Sequence, residues 1–386
     1  MTKKFLLALL FAFVYSAGLG QTSEPRFNSV STANGITPGR IGCITRDREG
    51  VMWFTDQTNR AIIRYDGTHM NRWLNDPKDS NSLGSTGYPE CIAIDSSGFL
   101  WIGFFNGGGL DRFDPATGIF THYRHHANDA ESLANDTVSA LLVDHLGNLW
   151  VGTDRGLDLL DQKTGKFRHY SHNALDSTSL SYNIVRALYE DHEGTLWIGT
   201  GFEFDLVNTD GGLNQFDRNK GTFKRYLHEP NNPHSLINNK VRAIFEDSRG
   251  TFWVGTSGDG LHTMDRKTGL FERYTYNPAD PSQLSRPKLM GGFDHITFIT
   301  EDPEGEIWIG TFWNGMNRYN PLTKKLTHFG DSANTKSGFR SNSPWWAYVS
   351  GDGLFWISTQ NDVLYRVDLS NNTIPYNALN NADVNT

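Results

Sequence analysis

The sequence has little of what marks most function classes. Cysteine occurs twice in 386 residues, and 35 lysines and arginines against 43 acidic residues leave a formal charge of −8 with no basic block. A chain that cannot line up cations against phosphates is a poor partner for nucleic acid or anionic membrane. Beyond the first twenty residues no apolar run approaches the roughly 18 residues read as a membrane span, so none is expected in the mature chain. HExxH, clustered Cys/His sets and serine-nucleophile motifs are missing, so no metal, cofactor or catalytic residue is assigned. Most of the 13 histidines sit at repeated positions. Only His295, after Asp294, stands where acid–base chemistry could be done.

Cys43 and Cys91 each lie four residues before an aspartate, in a slot that Ala140, Ala187 and Ala243 fill further on. They read as two small buried thiols rather than a bridge. The N-terminus differs from the rest: Lys3 and Lys4 precede an apolar run from Phe5 to Tyr15, and Gly18 and Gly20 stand before Gln21. Residues 1–20 therefore read as an export signal, and the mature chain as periplasmic or secreted.

What the chain has is glycine, 39 of them, and one phrase over and over. "DREGVMWFTD" at 47 returns as "DSSGFLWIGF" at 95, "DHLGNLWVGT" at 144, "DHEGTLWIGT" at 191, "DSRGTFWVGT" at 247 and "DPEGEIWIGT" at 302, with "SGDGLFWIST" at 350 as a weaker seventh copy. The tryptophans at 53, 101, 150, 197, 253, 308 and 356 are 48, 49, 47, 56, 55 and 48 residues apart. Each period holds four strand-like runs, as in "CIAI", "LWIGF", "LDRFD" and "FTHYRH". Asp-x-x-Gly suits a type I turn with a glycine bulge, the carboxylate capping its own turn. A large aromatic in one register fills the wedge between neighbouring sheets. Four strands per period of about fifty residues with no helical stretch between them predict an all-β, seven-bladed β-propeller of four-stranded antiparallel blades over residues 21–376, with 377–386 as a flexible tail.

The pattern D-x-x-G-x-[LI]-W-[IV]-G-T, then G-[LM], D-x-x-T-G-x-F-x-x-Y and Ser-Leu, resembles the two-component regulator propeller repeat. Ser-Leu recurs at 82, 132, 179 and 235. The family is familiar from periplasmic sensor regions of hybrid two-component proteins in Bacteroidetes-type bacteria. The resemblance implies recognition of an oligosaccharide or related small ligand, passed to a histidine kinase. Against that pattern the chain stops after seven repeats, without the second propeller, immunoglobulin-like connector, membrane helix or kinase. Ligand binding, rather than signalling by this chain alone, is the expectation.

Residues that break the repeat are the binding candidates, because loops on a rigid scaffold can vary. They are Phe312, Trp313 and Asn314 in "TFWNGM", Trp345 entering the seventh inner strand, Phe104 and Asn106 in the second blade, Phe202 in the insert "GFEFDLVNTDGG", and Arg155 in the third. Aromatic faces beside amides suit sugar rings. Trp346, in the Cys43 slot, reads as a plug of the central channel. A propeller lyase or glycosidase and a protein-interaction platform are the competing classes. Pro375 disfavours "TIPYNAL" as a blade strand, so "RFNSVST" at 26 is expected to close the ring against "VLYRVD" at 363.

Overall fold

A computed structural model describes residues 25–30, 34–84, 87–205, 209–258, 260–274, 295–330 and 337–369. The expected export signal and C-terminal tail lie outside them. The described residues contain no helix and form seven sheets of four antiparallel strands each. The chain is a seven-bladed β-propeller. Blade 4 is representative, with strands Val185–Glu190, Leu196–Thr200, Gly212–Asp217 and Thr222–Tyr226 from the axis outward.

The repeated phrase builds each blade through one carboxylate. Asp191 Oδ1 accepts the backbone N–H groups of Glu193 and Thr195, which fixes the turn, and Oδ2 accepts the indole Nε1–H of Trp197 at 2.8 Å. The same aspartate-to-tryptophan bond recurs in the first six blades at 2.7–3.0 Å. It lets a large ring be fully buried without stranding its donor. All seven ring systems are among the largest wholly buried side chains.

The glycine two places after the tryptophan in blades 2 to 6 has a different cause. A Cβ on Gly199 would stand 2.7 Å from the Val241 carbonyl oxygen of the next blade, and one on Gly152 would stand 2.6 Å from Val185 Cγ1. In blades 2 to 5 the second strand lies too close to the next blade's inner strand for any side chain, whereas Thr55 and Ser358 take the position in blades 1 and 7. Farther out, the Ser-Leu pairs pin the inter-blade connections. Ser132 Oγ accepts His126 N–H at 2.9 Å, and Leu133 is wholly buried against blade 3.

The ring closes where expected. Asn28–Ser29 pairs antiparallel with Leu364–Asp368, Asn28 opposite Arg366 and Ser29 opposite Tyr365, as the outer strand of blade 7. Phe27 locks the seam, edge-on to Trp308, Phe329, Phe339 and Tyr365. Cys43 and Cys91 are free and buried.

Candidate functional site

Each inner strand carries a register shift near its start. A bulge of this kind re-aims one side chain out of the pleat. In six blades the skipped residues are Glu90, Ser139, Arg186, Arg242, Thr297 and Trp345, each five positions before the turn residue. They ring the axis. Above this ring the loops between second and third strands enclose a cavity of about 400 Å³ to which all seven blades contribute.

Its wall is part aromatic and part charged. Phe105, Phe202, Phe204, Phe312 and Trp345 line it. Phe204 lies nearly parallel to Trp345, centroids 6.4 Å apart, and edge-on to Phe202 at 5.7 Å and Phe312 at 5.8 Å. The blade 4 insert also brings Glu203 between the two ring arginines, with Oε1 3.1 Å from Arg242 Nε and Oε2 3.5 Å from Arg186 Nε. Burial raises this carboxyl, but Arg242 and Arg186 outweigh it and hold it below its ordinary range. Arg186 also lies 3.6 Å from Asp154, donates to Ser139 Oγ, and covers the faces of Phe202 at 4.7 Å and Phe105 at 5.1 Å. Arg242 covers Trp345 at 4.9 Å. Planar guanidinium groups stacked on rings and paired with a carboxylate are fixed in place.

On the opposite wall Arg40 donates to Gln57 Oε1 at 2.6 Å and Gln360 Oε1 at 3.0 Å, and Gln57 donates to Glu90. Burial pushes the Glu90 carboxyl up against the pull of Arg242 and Arg186. The cavity therefore offers paired donors and acceptors beside apolar faces, with its charges largely balanced inside it. Backbone strain gathers on the same face. Of the five described non-glycine residues with left-handed φ, Arg60, Asn106, Trp313 and Asp362 lie in second-to-third strand loops. Such conformations cost about 1–3 kcal/mol each and persist where the surroundings over-determine them.

The structure brings together Asn106, Phe202, Phe312 and Trp345 on the cavity wall. Trp313 sits beside it, stacked on Phe312 with centroids 4.9 Å apart and 43% exposed, and Asn314 is half-buried next to it. Phe104 is corrected. It pairs with Pro89 and is wholly buried in the inter-blade core with Trp53 and Phe113, and strand alternation points Phe105 into the cavity instead. Arg155 is exposed in the short blade 3 turn, away from the cavity wall. His295 is fully buried behind Phe312, its ring stacked on that phenyl with centroids 4.7 Å apart. Sequence reasoning missed Arg40, Gln57, Glu90, Arg186, Glu203 and Arg242. The signal for three of them was a charged residue at the start of an otherwise apolar inner strand.

Seven four-stranded blades around an aromatic and charge-paired axial cavity define a propeller with a built pocket on one face. Four stretches of the chain, residues 132–155, 179–202, 235–258 and 291–313, match the family model for the two component regulator propeller. None of the curated protein sequences matches this chain. Among solved structures, the extracellular domain assigned to the hybrid two component system BT3049 of B. thetaiotaomicron is 23% identical with a TM-score of 0.69, over 89% of this chain and 42% of that one. Virginiamycin B lyase from Staphylococcus aureus is 13% identical, TM-score 0.62, over 89% and 99%. PorZ, a surface component of the type-IX secretion system of Porphyromonas gingivalis, is 17% identical, TM-score 0.63, over 84% and 46%. The chain thus spans less than half of the two-component and PorZ chains. At these identities the likeness is one of fold.

Proposed function

We propose that this is an extracytoplasmic, sensor-type propeller that recognises an oligosaccharide in the axial cavity, as the ligand-binding part of a two-component signalling system whose histidine kinase is a separate partner. The observation that carries the reading is the convergence of six aromatic side chains, Tyr88 among them, with paired arginines, carboxylates and amides on one pocket. Sugars present apolar C–H faces and hydroxyl edges, and such a wall answers both. An export signal at residues 1–20 and a single propeller over residues 21–376 belong to the same proposal. Among the described residues no helix is long and apolar enough to cross a membrane.

Binding is favoured over catalysis because His295, the acid–base candidate that the sequence offers, is wholly buried and is not part of the cavity wall. The test is a thermal-shift screen against plant and host oligosaccharides, followed by Phe202→Ala and Trp313→Ala. A stabilising glycan whose effect weakens at least tenfold in Phe202→Ala, with the ligand-free melting temperature nearly unchanged, is the expected outcome. Silence across the panel would refute the reading. Product release abolished by His295→Ala would make the protein an enzyme.

A further inference from the structure

Directly beneath the ring of bulged residues the character of the axis changes. The next residue of each inner strand is Cys43, Cys91, Ala140, Ala187, Ala243, Phe298 or Trp346, one per blade, and none is charged. These line a second cavity of about 290 Å³ that runs on past Leu141, Leu188, Ile244 and Ile299. It shares Ser139, Arg186 and Arg242 with the first cavity, so the two lie end to end.

Most of the residues lining this sleeve are apolar, the polar ones being Thr45, Ser139, Arg186, Tyr189, Arg242 and Thr297. Both thiols turn to backbone, Cys43 Sγ–H to the Ile92 carbonyl at 3.8 Å and Cys91 Sγ–H to the Val138 carbonyl at 4.0 Å. Burial pushes the Cys43 thiol up to about 12 and Cys91 upward as well, so neither is ionised at neutral pH. Nor does the fold demand small residues at this level. Phe298 and Trp346 occupy the slot in blades 6 and 7, so the cysteines and alanines of the other five leave space that the scaffold could have filled. Along the aliphatic part of this wall water finds few partners, and such stretches take apolar guests instead.

We propose that this channel receives an apolar chain, alkyl or acyl, carried by the same ligand whose polar end lies in the cavity above. Arg186 and Arg242, held aside by Glu203 and by the aromatic rings, mark the boundary between the two ends. The inference rests on the carbohydrate reading for its polar end only.

The experiment titrates methyl, butyl and hexyl β-D-glucopyranoside and hexan-1-ol by calorimetry. Each buried methylene is expected to tighten binding about fourfold, and Ala140→Phe, which places in blade 3 the residue blade 6 already carries, should abolish that increment. Ala187→Leu serves as the second variant should Ala140→Phe not fold. Equal affinity for the three glucosides would overturn the channel while leaving the sugar pocket. Binding of hexan-1-ol as tight as that of the hexyl glucoside, with none of the methyl glucoside, would support the channel and remove the carbohydrate reading. Absence of binding by all four probes would overturn the channel.

Discussion

The indole Nε1 of Trp356 is buried without a hydrogen-bond partner, because Ser350 stands six residues before it where the other six blades have an aspartate. Ser350 Oγ donates to Asp352 and accepts Leu354 N–H at 3.1 Å, so it caps the turn but does not reach the ring. Ser350→Asp should restore the missing acceptor and raise stability by about 1 kcal/mol, the net worth of one satisfied buried donor. Urea unfolding midpoints of the two proteins decide it. A lower midpoint would mean that repulsion from Asp352 exceeds the gain.

The aspartates are equivalent in sequence but not in charge environment. Burial, with Glu304 and Glu306 nearby, pushes the Asp302 carboxyl up to about 6. The folded state therefore holds this proton more tightly than the unfolded chain does. The resulting stability is fully present below about pH 4 and is lost as the pH rises through about 6. Asp302→Asn keeps an acceptor for Trp308 and removes the costly charge, so at neutral pH it should melt at or above the wild type and flatten that part of the profile. Asp191→Asn should lower the melting temperature instead, because Asp191 Oδ2 also accepts Arg266 Nη1 at 2.8 Å.

Two glycines of the repeated phrase should respond differently to alanine. Gly98→Ala meets nothing within 4 Å and pays only for its left-handed φ of 87°, about 1 kcal/mol. Gly199→Ala would drive a methyl into the backbone of blade 5, and a cost several times larger is expected, with loss of soluble protein as the extreme. Similar midpoints for the two variants would refute the close inter-blade approach.

Phe27→Ala tests closure. Removing a ring that is 4% exposed and packed among four aromatics should cost about 3–5 kcal/mol. Hydrogen exchange should then rise first in Leu364–Asp368, the strand whose partner is freed. Uniform exchange over all blades would show that the seam opens only with the whole ring.

The fold was legible because a sevenfold phrase carries its own alignment: the register of Trp53 to Trp356 marks the blades, and Pro375 marks where the last one must borrow a strand. The cavity was legible only in part. Phe312, Trp345 and Phe202 stood out because they interrupt the repeat, whereas Phe104 and Phe105 are adjacent and only strand parity separates core from cavity. Arg186 and Arg242 escaped notice because they sit in a regular strand, one place before the Cys43 column that was read. Their exposure to the axis depends on a bulge, and a one-residue register shift leaves no compositional trace.

Pairing Asn28 with Arg366 joins the two ends of the propeller across more than three hundred intervening residues. On the ribosome the closing strand is made before the first blade, yet its partner is made only when the seventh blade is nearly finished. Until then six blades stand as an open arc whose terminal sheets offer unpaired backbone to any other strand. Circle formation is thus a late event whose loop is almost the whole propeller, the arrangement for which slow folding is expected. A stalled or shortened product would keep its blades and lose its circle.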